Sequence, residues 1–111
     1  MRLLVIEDDA TLRESLSERL VEVGFAVEQA ADGKEGLYFA SEYPIDLAII
    51  ILPKEYVPQA LEDCGRKGVR GVVVISAGFR EVGEEGVRRE QELIAICDRY
   101  GMRMVGPNCM G

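Results

Sequence analysis

Short apolar runs alternate with polar, helix-periodic stretches along the whole chain. Leu3–Ile6 is such a run, the mark of a parallel strand buried on both faces. Asp9 or Thr11 can cap the helix that follows, and Thr11 with Glu14 has capping-box spacing. Leu12, Leu16 and Leu20 recur every four residues, an apolar stripe that stops at Gly24. Phe25 to Ala30 predicts a second strand. Asp32-Gly33-Lys34-Glu35 opens a second helix, with Leu37 and Ala40 facing inward, closed before Pro44. Leu47 to Leu52 predicts the third strand.

Pro53 and Pro58 bracket the start of a third helix, where proline is tolerated. Its inward residues Val57, Ala60, Leu61 and Cys64 sit at i, i+3, i+4 and i+7, and Gly65 or Gly68 ends it. The β-branched run Val72–Ile75 is the fourth strand. After a loop from Ser76 to Gly83, Leu93, Ile96, Cys97 and Tyr100 stripe a fourth helix that Gly101 stops, and Met102 to Val105 is a fifth strand. Strict alternation of strand and helix predicts a three-layer α/β/α domain with a parallel sheet and right-handed crossovers.

The 111 residues suffice for one domain with a real core, and no repeat or low-complexity stretch is present. No charged-then-apolar leader and no apolar run near twenty residues is seen, so neither secretion nor a membrane span is expected. Cys64, Cys97 and Cys109 lack paired spacing and the chain has no His, which argues against zinc. The net charge of −7 disfavours nucleic acid. It is unevenly placed. Residues 1–46 carry eleven acids and four bases, hence −7, whereas residues 47–111 carry nine of each.

The first half resembles the receiver domain of bacterial response regulators. Ile6-Glu7-Asp8-Asp9 after the first strand and Ala31-Asp32-Gly33 before the second helix carry the resemblance. Glu7 and Asp8 match that family's acidic metal-binding pair, and Ser76-Ala77 falls where receivers carry a switch hydroxyl and a small residue. The acceptor Asp of that pattern falls on Ile51, which cannot be phosphorylated, and the Lys-Pro expected after the fifth strand reads Gly106-Pro107. Asp46 is no substitute, lying roughly 15 Å away at the start of the strand. Phosphorelay activity is not expected.

The second half resembles the CoA-binding domain of acyl-CoA synthetases of the NDP-forming type, kin of the succinyl-CoA synthetase α-subunit. The matching residues are Leu52-Pro53, Tyr56-Val57-Pro58, Gly65–Val69, Val74–Glu81 and Val105–Gly111. The resemblance implies that the loop Ile75-Ser76-Ala77-Gly78 contacts CoA. It also implies a glycine-rich phosphate turn after the first strand. Here that turn is Glu7-Asp8-Asp9-Ala10-Thr11, without glycine and with three acids, which repels a pyrophosphate.

Two receiver strands joined to the rest of a CoA domain give a flavodoxin-like sheet of order 2-1-3-4-5. The expectation is therefore a single flavodoxin-like domain over 1–111, with 1–45 receiver-derived and 46–111 derived from a CoA-binding domain. The functional expectation is an engineered chimeric scaffold, not an enzyme, with neither phosphorelay nor ligase activity. No catalytic residue, cofactor, nucleic acid, membrane or natural partner is expected, and the state is a monomer or weak homodimer. Both apparent parents are cytosolic, so the expected location is cytoplasmic. The alternative is a residual binding module, with CoA or a nucleotide at Ser76, Ala77 and Gly78, or weak Mg²⁺ at Glu7 and Asp8. A second alternative is a degenerate receiver acting as a protein-interaction domain. Any ligand belongs at the carboxyl ends of the strands, lined by Glu7, Asp8, Leu52, Ser76, Ala77 and Gly106.

Overall fold

The computed structural model of the chain describes residues 1–76 and 83–106. Five parallel strands run β1 (Arg2–Glu7), β2 (Ala26–Ala30), β3 (Leu47–Ile51), β4 (Gly71–Val74) and β5 (Arg103–Val105), in the order β2-β1-β3-β4-β5. Between them lie α1 (Ala10–Val23), α2 (Gly33–Glu42), α3 (Val57–Arg66), preceded by a 3-10 turn Lys54–Tyr56, and α4 (Glu84–Tyr100). The predicted α/β class, strand order and helix count hold. Boundaries moved by a residue: β3 ends at Ile51, β4 starts at Gly71, and β5 starts at Arg103.

Helix ends follow the polar signals. Asp9 caps α1, its Oδ1 accepting from the Leu12 N–H at 3.1 Å, so Thr11 is not the cap. Gly24 closes α1 at φ +111°. Asp32 caps α2 in the same way through the Glu35 N–H, and Glu35 reaches back to accept from the Ala31 N–H at 2.6 Å. Gly101 closes α4 in the left-handed region.

One side of the sheet carries the main core. Leu4 and Ile6 of β1, Ala48 and Ile50 of β3, and Val72 and Val74 of β4 face Ala40, Val57, Ala60, Leu61, Cys64, Leu93, Ile96 and Cys97 from α2, α3 and α4. The i, i+3, i+4, i+7 set of α3 is buried throughout, as predicted. Helix α2 passes close to β1 at Gly36, where a Cβ would meet Ile6 Cδ1 at 2.8 Å.

The other side carries the intervening residues Leu3, Val5 and Glu7, then Leu47, Ile49 and Ile51, then Val73. There α1 lies over β1 and β2, and among the described residues no helix covers β3, β4 and β5. The leucine stripe of α1 seats only in part, with Leu16 and Leu20 half-buried. Ser17 is its one buried residue and Leu12 is 58% exposed. At 100° per residue, Ser17 inward puts Val21 toward the β2 edge, where Ser17, Glu18, Val21 and Glu22 form a shallow groove with Val27 and Gln29. Leu16 and Leu20 are thereby turned toward β3. Among the described residues no helix is long and apolar enough to cross a membrane.

Candidate functional site at the carboxyl ends of the strands

The strand order reverses at β1, so β1 and β3 leave a crevice between their carboxyl ends. Glu7 and Ile51 are register partners there. The site grows from the last residue of β1. Glu7 is only 4% exposed. Its Oε1 accepts from the Asp9 N–H at 3.0 Å, while Oε2 is buried without a hydrogen-bond partner. Burial pushes the Glu7 carboxyl above its ordinary range, opposed by the Asp9 N–H and reinforced by the Asp8 and Asp9 charges.

Asp8 and Asp9 are exposed beside it, and Asp9 is committed to the helix cap. The first helical N–H groups, which receive phosphates in a glycine-rich turn, thus meet a carboxylate instead. Arg13 was not anticipated as a neighbour of this turn. From the first turns of α1 its Nη1 donates to the Glu7 carbonyl at 2.7 Å, a contact that links residues six apart. An Arg four residues beyond a cap is the sequence signal that could have marked it.

Ser76 lies half-buried just past β4, after Ile75, whose N–H donates to the Ile50 carbonyl at 2.9 Å. Ala77 and Gly78 lie outside the described residues, as does Cys109. Leu52 is buried behind Ile51. Gly106 has φ +92°, and a Cβ there would strike the Val74 carbonyl, so the chain leaves β5 against the end of β4. Glu7, Leu52, Ser76 and Gly106 therefore all follow or end strands on one edge of the sheet, Leu52 as part of the buried core.

Glu7 and Asp8 are adjacent, but among the described residues no group of three or more His, Cys, Asp or Glu is disposed to hold a metal. Neither described thiol is a nucleophile. Burial pushes Cys64 up to about 12 and also raises Cys97, and both are protonated and inside the α3–α4 contact.

Comparison with known proteins bears on this edge. The sequence model of a family described as a CoA binding domain matches residues 18–111. The α subunit of acetate–CoA ligase [ADP-forming] II from Pyrococcus furiosus is 52% identical over 86 residues, 76% of this chain and 19% of the relative. Acetate–CoA ligase [ADP-forming] I from Archaeoglobus fulgidus is 58% identical over 67 residues, 60% of this chain and 10% of the relative. The chain thus spans about a fifth or less of the length of these ligases. A solved structure from Pyrococcus horikoshii OT3 aligns with 99% of this chain and 28% of that one, at a TM-score of 0.76 and 39% identity.

Receivers are also similar. Two-component response regulator PhoP of Pseudomonas aeruginosa is 40% identical over 86 residues, 78% of this chain and 31% of that protein. The chemotaxis protein CheY4 of Vibrio cholerae shares the fold over 96% of this chain and 86% of that one, with a TM-score of 0.72 at 20% identity.

These findings correct the expectation of an engineered scaffold without activity. The CoA-binding match runs across residues 45 and 46, where a join was expected, and the ligase relatives are natural enzymes. The likenesses to the ligase subunit and to PhoP, 86 residues each, overlap within the 111 residues. With a parallel sheet whose carboxyl edge gathers Glu7, Leu52, Ser76 and Gly106, and a match over residues 18–111, the chain belongs to the CoA-binding domain family.

Proposed function

We propose that this chain is a CoA-binding module of the kind found in ADP-forming acyl-CoA ligases, and that it binds CoA or a related nucleotide at the carboxyl ends of its strands. The match over residues 18–111 carries this reading, because it takes in the residues that follow β4 and β5 in the sequence. The half-buried Ser76 and the glycine turn at Gly106 supply the close-approach surface, with Ala77 and Gly78 next in the chain. On this reading the chain binds, and any acyl transfer belongs to parts of a ligase outside these residues.

The affinity is low. Residues 1–17, which include β1 and the turn Glu7-Asp8-Asp9, precede the family match, and that turn sets three carboxylates where a diphosphate should meet helix N–H groups. Each negative charge a few ångströms from a phosphate costs about 1 kcal/mol even in water. The test is a calorimetric titration of the chain with CoA to millimolar concentration, repeated with Ser76→Trp. Saturable heat that the substitution abolishes is the expected result. No heat from the folded wild-type chain, or heat that Ser76→Trp leaves unchanged, rejects the site.

A further inference from the structure

The sheet ends on the α1 side in β2, which pairs with β1 alone in a register that sets Ala26 beside Arg2. The Ala26 N–H donates to the Met1 carbonyl at 3.2 Å, so Ala26, Glu28 and Ala30 turn their main-chain groups toward β1. The N–H and C=O groups of Val27 and Gln29 therefore point out of the sheet. Sheets ordinarily blunt such an edge with lysine, proline or a bulge. Ala26–Ala30 holds no lysine or proline and pairs in unbroken register. This edge is the far one from residues 77–82, which join β4 to α4, and from residues 107–111, which follow β5. Five residues reach about 17 Å, short of the roughly 19 Å that four strand spacings put between β5 and β2.

We propose that this edge binds an extended segment of a partner protein in which basic residues alternate with apolar ones, taken up as a sixth strand beside β2. The side chains over the edge set that chemistry. Val27 and Gln29 line a shallow groove of about 330 Å³ with Ser17, Glu18, Val21 and Glu22 of α1. Val21 and Val27 are its apolar part, and Ser17 brings a buried hydroxyl that has no hydrogen-bond partner. Glu14, Glu18 and Glu22 follow one another at i, i+4 and i+8 on this flank, all exposed and none ion-paired among the described residues. Like charges at that spacing weaken a helix, and a cationic partner relieves their repulsion.

The nearby cations are turned elsewhere. Arg13 donates to the Glu7 carbonyl, Arg2 pairs with Glu28 on the opposite face of the sheet, and Lys34 lines a groove between α2 and α3. Arg19 lies 100° farther round α1 than Glu18, away from β2. A second copy of the chain would bring another acidic flank to the same edge, so a basic segment is the better occupant. Main-chain bonds supply its affinity and the alternating side chains its selectivity. The inference goes beyond CoA binding and does not depend on it.

Fluorescence anisotropy of a labelled peptide of about eight alternating lysine and valine residues, titrated with the intact chain at low salt, tests it. Binding is expected with a Kd of about 10–500 μM. Glu18→Lys combined with Glu22→Lys, both at exposed positions, should weaken it by about tenfold or more. The same peptide N-methylated at every residue cannot pair with a strand and should not bind. Gln29→Pro removes an N–H that no strand uses and should abolish binding with the far-ultraviolet spectrum unchanged, whereas Gln29→Ala should bind as wild type. No binding by the folded wild-type chain overturns the proposal. So does binding that the N-methylated peptide or Gln29→Pro retains, which would be charge attraction alone. A dimer of the chain that Gln29→Pro breaks would give the edge to a second copy and overturn it as well.

Discussion

Glu7 concentrates the chemistry of the molecule in one side chain. It stands where a strand ends and a helix begins, and the local hydrogen bond to Asp9 holds one oxygen while the other has no partner. Its folded carboxyl titrates above its unfolded value, so the folded state binds more protons and this group's contribution to stability falls as pH rises through the folded pKa. Glu7→Gln keeps the acceptor for Asp9 and removes the buried charge. The variant is expected to be more stable than wild type by about 1–2 kcal/mol at neutral pH and equal to it at acidic pH where Glu7 is protonated. Urea unfolding at the two pH values checks this; an equal gain at both would mean packing, not ionisation, is responsible. Glu7 was legible in the sequence as one of an acidic pair. Its burial was not, since that depends on the neighbouring β3 residue Ile51 and on α1 arching overhead.

At the scale of elements, α3 and α4 illustrate a periodic pattern that the structure honours, and α1 one that it honours only in part. Val57, Ala60, Leu61 and Cys64 are inward because α3 is flanked by α2 and α4, so its one buried direction is unambiguous. The α3–α4 contact is tight enough to need a glycine. At Gly65 a Cβ would overlap the ring of Tyr100, whose hydroxyl donates to Glu62, itself paired with Arg99 at 3.0 Å. Gly65→Ala is therefore expected to cost about 1–3 kcal/mol, despite alanine's better helix propensity. A chemical denaturation series would show it, and a stabilised variant would mean Tyr100 swings away freely. In the sequence Gly65 or Gly68 reads as the helix stop; the helix runs through Gly65 to Arg66, and Gly68 takes the positive φ just beyond it. A close approach between helices 35 residues apart leaves no local signature. Among the described residues helix α1 packs mainly on the β1–β2 ribbon, so Ser17 takes the inward position and Leu16 and Leu20 are only half-buried.

For the whole molecule the decisive quantity is the distribution of charge. The net −7 resides entirely in residues 1–46, and the turn Glu7-Asp8-Asp9 belongs to that part. A phosphate-binding site normally weakens as salt rises. Under the proposed function CoA would approach a repelling field, so its affinity is expected to strengthen, by about twofold to fivefold, between 20 and 300 mM NaCl as that field is screened. The same titration run at both salts checks the sign, and a conventional loss of affinity would show that the turn does not face the ligand.

The strand order 2-1-3-4-5 comes from the resemblance to receivers and CoA-binding domains. What the sequence by itself determined through local pattern was five apolar runs, four helices with end signals at Asp9 or Thr11, Asp32, Gly24 and Gly101, and a parallel sheet. These follow from spacing within ten or fifteen residues and from the handedness of crossovers, which any chain of this pattern must obey. The tertiary structure decided which side of α1 meets the sheet, how Glu7 comes to be buried with one oxygen unpartnered, and where Gly65 admits Tyr100. Each of these depends on what another element, distant in sequence, does or does not place alongside, and periodicity within one segment holds no record of its neighbours.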